Sequence, residues 1–539
     1  MMRNESTGYP PGRAISQLAG VVGLWLTLAV TSQAQDLQAE CPSLPEAPAF
    51  VTRTVAELGI IKPHTERWRE LLTWQQLLRE LDRLRWDGLN PQNYLLSDLA
   101  RITDQLKAGM PPTPCQSQVA SLALAWSLSD LAHGRLDPEK LGLMWHQSSR
   151  NPDAERFAIN IHRDFYHQQG LRKAYRNVRP SVSPYMALRD AYRNLHRNLP
   201  ESWPTVPPGP TLRPGDSGPR VTALARRLAA QDYLTLPDPE MAENGSHEKA
   251  PPEATFDDSL EKALQAFQRD HGLEPDGLAG RATGEALNTP PGAWKARSRA
   301  NLERLRWVTP YYADDMVLVD IADARATLIR DGREVWQGNT QVGRPERKTP
   351  ALTSTISHVT LNPTWTIPPT VFYEDTLPAI LADPDYLKRN RLTVLDRNGA
   401  ELDPEEVDWS APGNLLLRQA AGPGNALGEV AIRFQNPYAV YLHDTPSRWL
   451  FETPDRFYSS GCVRVENAMQ LTELLFRGNV EQIRQAQSTG DTRNLSLPDR
   501  IRLVMTYRTA EVGPEGEIRF RQDTYGEDRL VIDLLDEEV

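Results

Sequence analysis

A multidomain α+β chain is what this sequence predicts: a helical N-terminal region, a small three-helix domain, and a mainly-β domain carrying a lid-like insertion. Three observations carry that expectation. The 539 residues exceed what one hydrophobic core organises. Apolar residues recur at helical spacing through about Trp294 and switch to strand-type patterns from Met316. A run of prolines between Pro200 and Pro214 reads as a stiff linker between the first two regions. Hydrophobic content of 40% and charged content of 24% are ordinary for globular protein. A net charge of −11 argues against general nucleic-acid binding, because neutralising phosphates needs a basic surface.

The N-terminus has the form of an export signal. Arg3 and Arg13 precede an apolar run from Leu18 to Val30, and Ser32-Gln33-Ala34 supplies the small residues of a cut after Ala34. The run is shorter than the roughly 20 residues of a membrane span, so cleavage and export are expected, with an uncleaved N-terminal anchor as the alternative reading. Nothing later is long and apolar enough to cross a bilayer. An exported chain meets oxidising conditions. Of the three cysteines, Cys41, Cys115 and Cys462, the economical pairing joins the first two and leaves Cys462 free, although sequence does not fix connectivity.

Residues 35–205 form the helical region. Leu71, Leu72, Trp74, Leu77, Leu78, Leu81 and Leu84 fall at helical spacing, and Asp87-Gly88-Leu89-Asn90-Pro91 breaks that helix. A second pattern runs through Val119, Leu122 and Trp126 to His133-Gly134, and a third starts at Pro184. His133, His146, His162 and His167 are scattered, which suits packing or surface roles better than metal ligation. Residues 206–298 form the three-helix domain, with Thr283 as a candidate cap of its last helix. Within it, residues 237–254 are rich in Pro, Glu, Asn and Gly and read as a mobile insertion.

Residues 299–510 are expected to be mainly β, with a lid-like part at 368–423 and a C-terminal extension at 511–539. Asp331-Gly332 marks a hairpin. Tyr438 to Leu442 has strand character and would end at His443. Cys462 follows Ser459-Ser460-Gly461, a turn signal, and precedes an apparent helix that Asn467 could cap. A cysteine attacks as its thiolate and needs a base. His443, 19 positions upstream, is the natural partner; the other histidine beyond Ala300, His358, lies in an alternating strand. The helix after Cys462 would favour thiolate through its dipole, and the N–H groups of Gly461 and Cys462 would stabilise an oxyanion. A zinc site built on this pair would lack further ligands, and a papain-like enzyme would carry the cysteine first. No metal or other cofactor is expected.

Two stretches carry resemblances. Leu212-Arg213-Pro214-Gly215-Asp216, Ala266-Phe267-Gln268, and Gly272-Leu273 through Asp276-Gly277 to Thr283 resemble the small peptidoglycan-binding domain of cell-wall enzymes. His443 with Ser460-Gly461-Cys462-Val463-Arg464 resembles the signature of the L,D-transpeptidases, the YkuD-type catalytic domain. Val342-Gly343-Arg344 with Thr349-Pro350, Asn362-Pro363 with Trp365, and Ile367-Pro368-Pro369 add to it. The helical region, with its Asp87–Pro91 and His133-Gly134-Arg135-Leu136-Asp137-Pro138 stretches, is similar to the scaffold of large YcbB-type members. Many members have histidine directly before the glycine, where this chain has Ser460, which leaves His443 as the base.

The resemblance implies an exported, periplasmic, wall-associated enzyme. Cys462 would attack the third-residue carbonyl of a tetrapeptide stem and release D-alanine. The acyl group would then pass to a diaminopimelate amine, making a 3→3 cross-link. Tyr441 and Ser460 would shape the site, Arg464 would be structural, Asn362 and Trp365 would line the donor groove, although a core role suits Trp365 better, and carbapenems would acylate the thiol. Expected partners are peptidoglycan stem peptides and glycan strands, and other cell-wall enzymes, with no nucleic acid. Water as acceptor would give an L,D-carboxypeptidase and a lipoprotein lysine an anchoring enzyme; an idle thiol would leave a non-enzymatic wall-binding scaffold.

Overall fold

The structure is a computed structural model that describes residues 41, 44–146, 153–166, 170–236 and 254–537. The export signal, His167 and all but the last residue of the 237–254 insertion lie outside the described residues.

The N-terminal region is helical. Helix Leu71–Arg83 buries Trp74, Leu77 and Leu81 along one stripe, as its spacing requires. Helix Pro114–His133 starts on a capping box between Thr113 and Gln116 and stops at Gly134. Cys41 and Cys115 are disulfide-bonded, with their Cα atoms 5.1 Å apart. The Asp87–Pro91 break is a junction as well as a turn. Gly88 takes φ 75°, and Asn90 accepts from the Gln92 N–H at 3.1 Å. The Asp87 carboxylate is fully buried and accepts from Arg179, Arg189 and Tyr185 at 2.7–3.1 Å, while its carbonyl accepts from Arg306 at 2.6 Å. Arg306 sits on the long helix Pro291–Val308, so Asp87 ties the first region to the last. Removing one partner of a buried ion network strands the others. Asp87→Ala is expected to lower stability by about 3–5 kcal/mol, measurable by denaturant titration.

The three-helix domain comprises Pro219–Ala229, Asp258–Asp270 and Arg281–Leu287. Buried Gln268 explains the Ala266-Phe267-Gln268 stretch. Its amide donates to Asp276 Oδ1 at 2.8 Å and to Thr283, and its carbonyl accepts from the Gly277 N–H at 3.0 Å. Thr283 is therefore an interior partner of Gln268, and Gly280 stands at the cap instead. The domain is seated by aromatic contacts. His271 stacks on Phe267 at 4.0 Å and lies 5.8 Å from Phe520, and the Arg227 guanidinium covers Trp203 at 4.4 Å.

The last region is built on a ten-stranded sheet. Its main strands are β1 (Met316–Asp320), β2 (Arg325–Arg330), β3 (Arg333–Gly343), β4 (Ala351–Leu361), β5 (Val430–Phe434), β6 (Leu442–His443), β7 (Phe457–Ser459), β8 (Val463–Val465) and β9 (Arg493–Thr506). The order β4-β9-β1-β2-β3-β8-β6-β5 closes on itself, because β5 also pairs β4. Closure removes the open edges of the sheet. Trp145–His146 and β7 hang off the ring. Asp331 and Gly332, at φ 49° and 70°, make the β2–β3 hairpin.

Several local expectations change. Tyr438 to Tyr441 is a hairpin loop rather than strand; the Asn436 carboxamide oxygen accepts from the Tyr438 and Val440 N–H groups and holds that loop. The stretch from Trp365 to the early 420s is a small folded body. It has short helices, a three-stranded sheet (Trp365–Thr366, Leu416–Gln419, Leu392–Leu395) and a core around Phe372, Val394 and Leu417. The C-terminal segment folds back as the hairpin Ala510–Val512 with Ile518–Phe520 and the helix Asp528–Asp536. It shares a core with helices of the first region, and Arg135 donates to the helix-end carbonyl of Leu535 at 2.9 Å. Among the described residues, no helix is long and apolar enough to cross a membrane.

Candidate active site

Strand pairing brings the two sequence-predicted residues together. β6 and β8 run parallel with Leu442 opposite Val463 and His443 opposite Arg464. Leu442 and Val463 are fully buried in the core. Alternation then places Tyr441, His443, Cys462 and Arg464 on the other face. On the far side of β6, β5 sets Ala431 opposite His443. The same register brings Arg433 beside Tyr441, with its guanidinium 4.1 Å from the ring centroid. Across β8, Gln341 on β3 lies opposite Arg464 and accepts from it at 2.9 Å.

The histidine is poised as a base. His443 is 4% exposed, and its Nδ1–H donates to the Asp444 carbonyl at 2.5 Å. That bond fixes the proton on Nδ1 and leaves Nε2 to accept. Burial, and then the Arg464 charge, push its pKa from 6.5 to about 3. Cys462 is half-buried, and burial raises its thiol pKa against donors from the Tyr441 backbone and hydroxyl and the charges of Arg433 and Arg464. The resting pair is therefore a thiol beside a neutral imidazole. Because the unfolded chain binds a proton at this histidine below pH 6.5 and the folded chain does not until about 3, stability from this residue is lost as pH falls through that window. The thermal midpoint of wild type should fall relative to a His443→Asn variant as pH drops from 6.5 toward 4 in a melting series.

The nucleophile turn is fastened from three sides. Gly461, at φ 110°, adopts a backbone that favours glycine. Its carbonyl accepts from Thr349 Oγ1 at 2.9 Å, and Thr349 Oγ1 accepts from the Gly343 N–H at 2.8 Å. The Tyr525 hydroxyl, from the C-terminal segment, donates to the Gly343 carbonyl at 2.7 Å and accepts from the Thr349 N–H at 3.0 Å. Ser460 is exposed, and its hydroxyl accepts from Arg347 at 3.0 Å; Arg347 also pairs with Glu374 and Asp375 of the inserted body. Trp365 of that body lies beside the Tyr441 hydroxyl, a second approach from that body to the site.

Three sequence expectations are corrected. The Gly461 N–H points back to Ser459 Oγ at 3.1 Å, so it is not presented beside the Cys462 amide for an oxyanion. The helix expected from about Asn467 is present as Ala468–Leu475, but Asn467 adopts φ 53° without a side-chain cap, and β8 separates the helix N-terminus from the thiol, so its dipole does not act there. Asn362 does not line a groove here; at φ 46° its amide donates to the carbonyls of Gln487 and Asp491 and pins the end of β4. Arg433, Gln341 and Arg347 went unnoticed in the sequence, and Thr349 was named only within a family stretch, without a role. Arg433 alone carried a signal, as the one charged residue in Val430-Ala431-Ile432-Arg433-Phe434. His358 bonds Ser357 at 2.9 Å and lies opposite Arg433. Among the described residues, no three His, Cys, Asp or Glu side chains are grouped to hold a metal ion.

Comparison with known proteins adds three domain matches. Residues 314–480 match the family described as "L,D-transpeptidase catalytic domain", YkuD. Residues 217–287 match "Putative peptidoglycan binding domain" and 69–191 match "Scaffold domain". A curated protein of Haemophilus influenzae, described as "Putative L,D-transpeptidase", is 34% identical over 237 residues, 43% of this chain. The matched stretch spans about half, 48%, of that relative. Among solved structures, an L,D-transpeptidase from Xylanimonas cellulosilytica overlaps at 16% identity and TM-score 0.18, covering 56% of this chain and 98% of that one. One from Mycobacterium smegmatis overlaps at 16% identity and TM-score 0.19, covering 36% and 59%. Scores this low transfer no residue roles.

Proposed function

We propose that this chain, which carries a YkuD-type L,D-transpeptidase catalytic domain together with peptidoglycan-binding and scaffold domains, is a peptidoglycan acyltransferase working through a Cys462 thioester. Its substrates are stem peptides on glycan strands, and its place of action is outside the cytoplasm. The carrying observation is the shared sheet face that sets Cys462, His443, Tyr441 and Arg464 side by side. We assign domains at 35–205, 206–298 and 299–510, with the inserted body serving as a lid and 511–539 as an extension.

In the first half-reaction, Cys462 Sγ attacks the carbonyl of the third stem residue while its proton passes to His443 Nε2. The Cys462 amide and the Tyr441 hydroxyl serve as donors to the developing oxyanion, since the Gly461 amide is occupied. Collapse expels the amine of D-alanine, which takes the proton from His443. In the second, a diaminopimelate amine attacks the thioester and gives its proton to His443; an amide forms and the thiol returns. Arg464 and Arg433 make thiolate cheaper to form inside a buried site.

Incubation with purified disaccharide-tetrapeptide, followed by mass analysis, tests this reading. A 3→3 cross-linked dimer with released D-alanine is expected. Tripeptide without dimer would make the chain an L,D-carboxypeptidase. Transfer only to a lysine-bearing protein would make it an anchoring enzyme, and no product would leave a wall-binding scaffold.

A further inference from the structure

We propose that the groove between the three-helix domain and the His443–Cys462 loop is the seat of the substrate's glycan strand, holding an uncharged run of amino sugars while a stem peptide reaches the thiol. The inference rests on the peptidoglycan reading above.

The groove encloses about 780 Å³, within the roughly 300–1,000 Å³ of small-ligand sites. One wall is the end of helix Asp258–Asp270 and the following turn to Pro275. The opposite wall is Phe451–Phe457, part of the loop that joins base to nucleophile. Asp323, Arg325 and Asn339 form the floor. A cleft with one side on each domain is built only when both are docked, as the stacking of His271 against Phe520 docks them.

Its chemistry selects the occupant. Five arginines and five carboxylates line it, so it presents no net charge to a polyanion. Part of that charge is internally paired: Asp323 pairs with Arg521 at 2.5 Å and with Arg325 at 3.3 Å, and Asp270 pairs with Arg519 at 3.7 Å. Together with Asn339 and Gln522, the guanidinium and carboxylate groups make a dense set of planar hydrogen-bonding groups, suited to hydroxyl and acetamido groups.

The distance fits as well. Gln341 lies opposite Arg464, so the antiparallel register sets Cys462 opposite Gly343, four residues along β3 from Asn339. Four strand residues span about 13 Å. Three to four extended stem residues span roughly 10–14 Å. A glycan in the groove is therefore separated from the sulfur by about the length of three to four stem residues, with the Ser447 loop over buried Gln341 lying between them.

Glu274 and Glu452, one on each wall, are exposed. The test uses the full chain with both changed to tryptophan to fill the groove, and a paired Glu274→Gln, Glu452→Gln form that keeps hydrogen-bonding amides. Calorimetry with a β-1,4-linked N-acetylglucosamine hexamer should show at least tenfold weaker binding for the tryptophan form and little change for the glutamine form. Wild type should turn over glycan-linked tetrapeptide faster than free tetrapeptide, and the tryptophan form should lose that preference. Carbapenem acylation of Cys462 should be equal in all three. Equal hexamer binding in the tryptophan form, or no glycan preference in wild type, would overturn the groove. Failure of wild-type acylation would instead overturn the thioester reading while leaving the hexamer result to judge the saccharide site.

Discussion

Cys462→Ala is expected to abolish acyl transfer while leaving the fold intact. Cys462 directly precedes β8 and is half-buried at the edge of the barrel core, with Val463 taking the fully buried position beside it. Its removal costs the barrel little, within about 1 kcal/mol. The chemical loss is of another order. No other described cysteine has a free thiol, since Cys41 and Cys115 are bonded to each other. Loss of a covalent nucleophile costs on the order of 10⁶ in turnover where the residue acts as one unit with its base. Intact-mass measurement after carbapenem treatment checks the first half-reaction: wild type should gain one adduct and the variant none. Muropeptide analysis checks the whole cycle. Residual cross-linking in the variant would mean a different nucleophile.

His443→Asn is expected to slow acylation by about 10²–10⁴ with the thiol still present. Asparagine can donate to the Asp444 carbonyl as Nδ1–H does, so the loss isolates the proton-accepting nitrogen. The pH profile separates a base from a merely structural side chain. In wild type His443 is neutral down to about pH 3, and the thiol is raised by burial. Wild-type acylation should therefore change little across the neutral range, where Nε2 takes the proton during attack. The variant must rely on thiolate already formed, and its rate should climb with pH up to the raised thiol pKa. A pH-independent defect would point to lost packing.

The parts of this site that were legible in the sequence are the local ones. Ser459-Ser460-Gly461 announces a turn before Cys462 within four residues, and apolar spacing announces helix Leu71–Arg83. What escaped depends on residues far apart in sequence. The parallel β6–β8 pairing that sets His443 beside Arg464 spans the whole intervening loop, and the ring closes through β4 and β5, separated by the inserted body. Neither leaves a periodicity to read. Asn362 and Asn467 misled for one reason: asparagine tolerates a left-handed backbone, and both use that tolerance to turn the chain. Trp365 suited a core better than a groove on its residue type, and the structure packs it against the inserted body's core.

The Tyr525 hydroxyl that bridges Gly343 and Thr349 makes the nucleophile's turn depend on a segment outside the barrel. Without it, the Thr349 clasp on Gly461 loses its outer support, and the thiol sits on a slack turn. Tyr525→Phe is thus a change remote from the thiol that acts on how firmly the thiol is held.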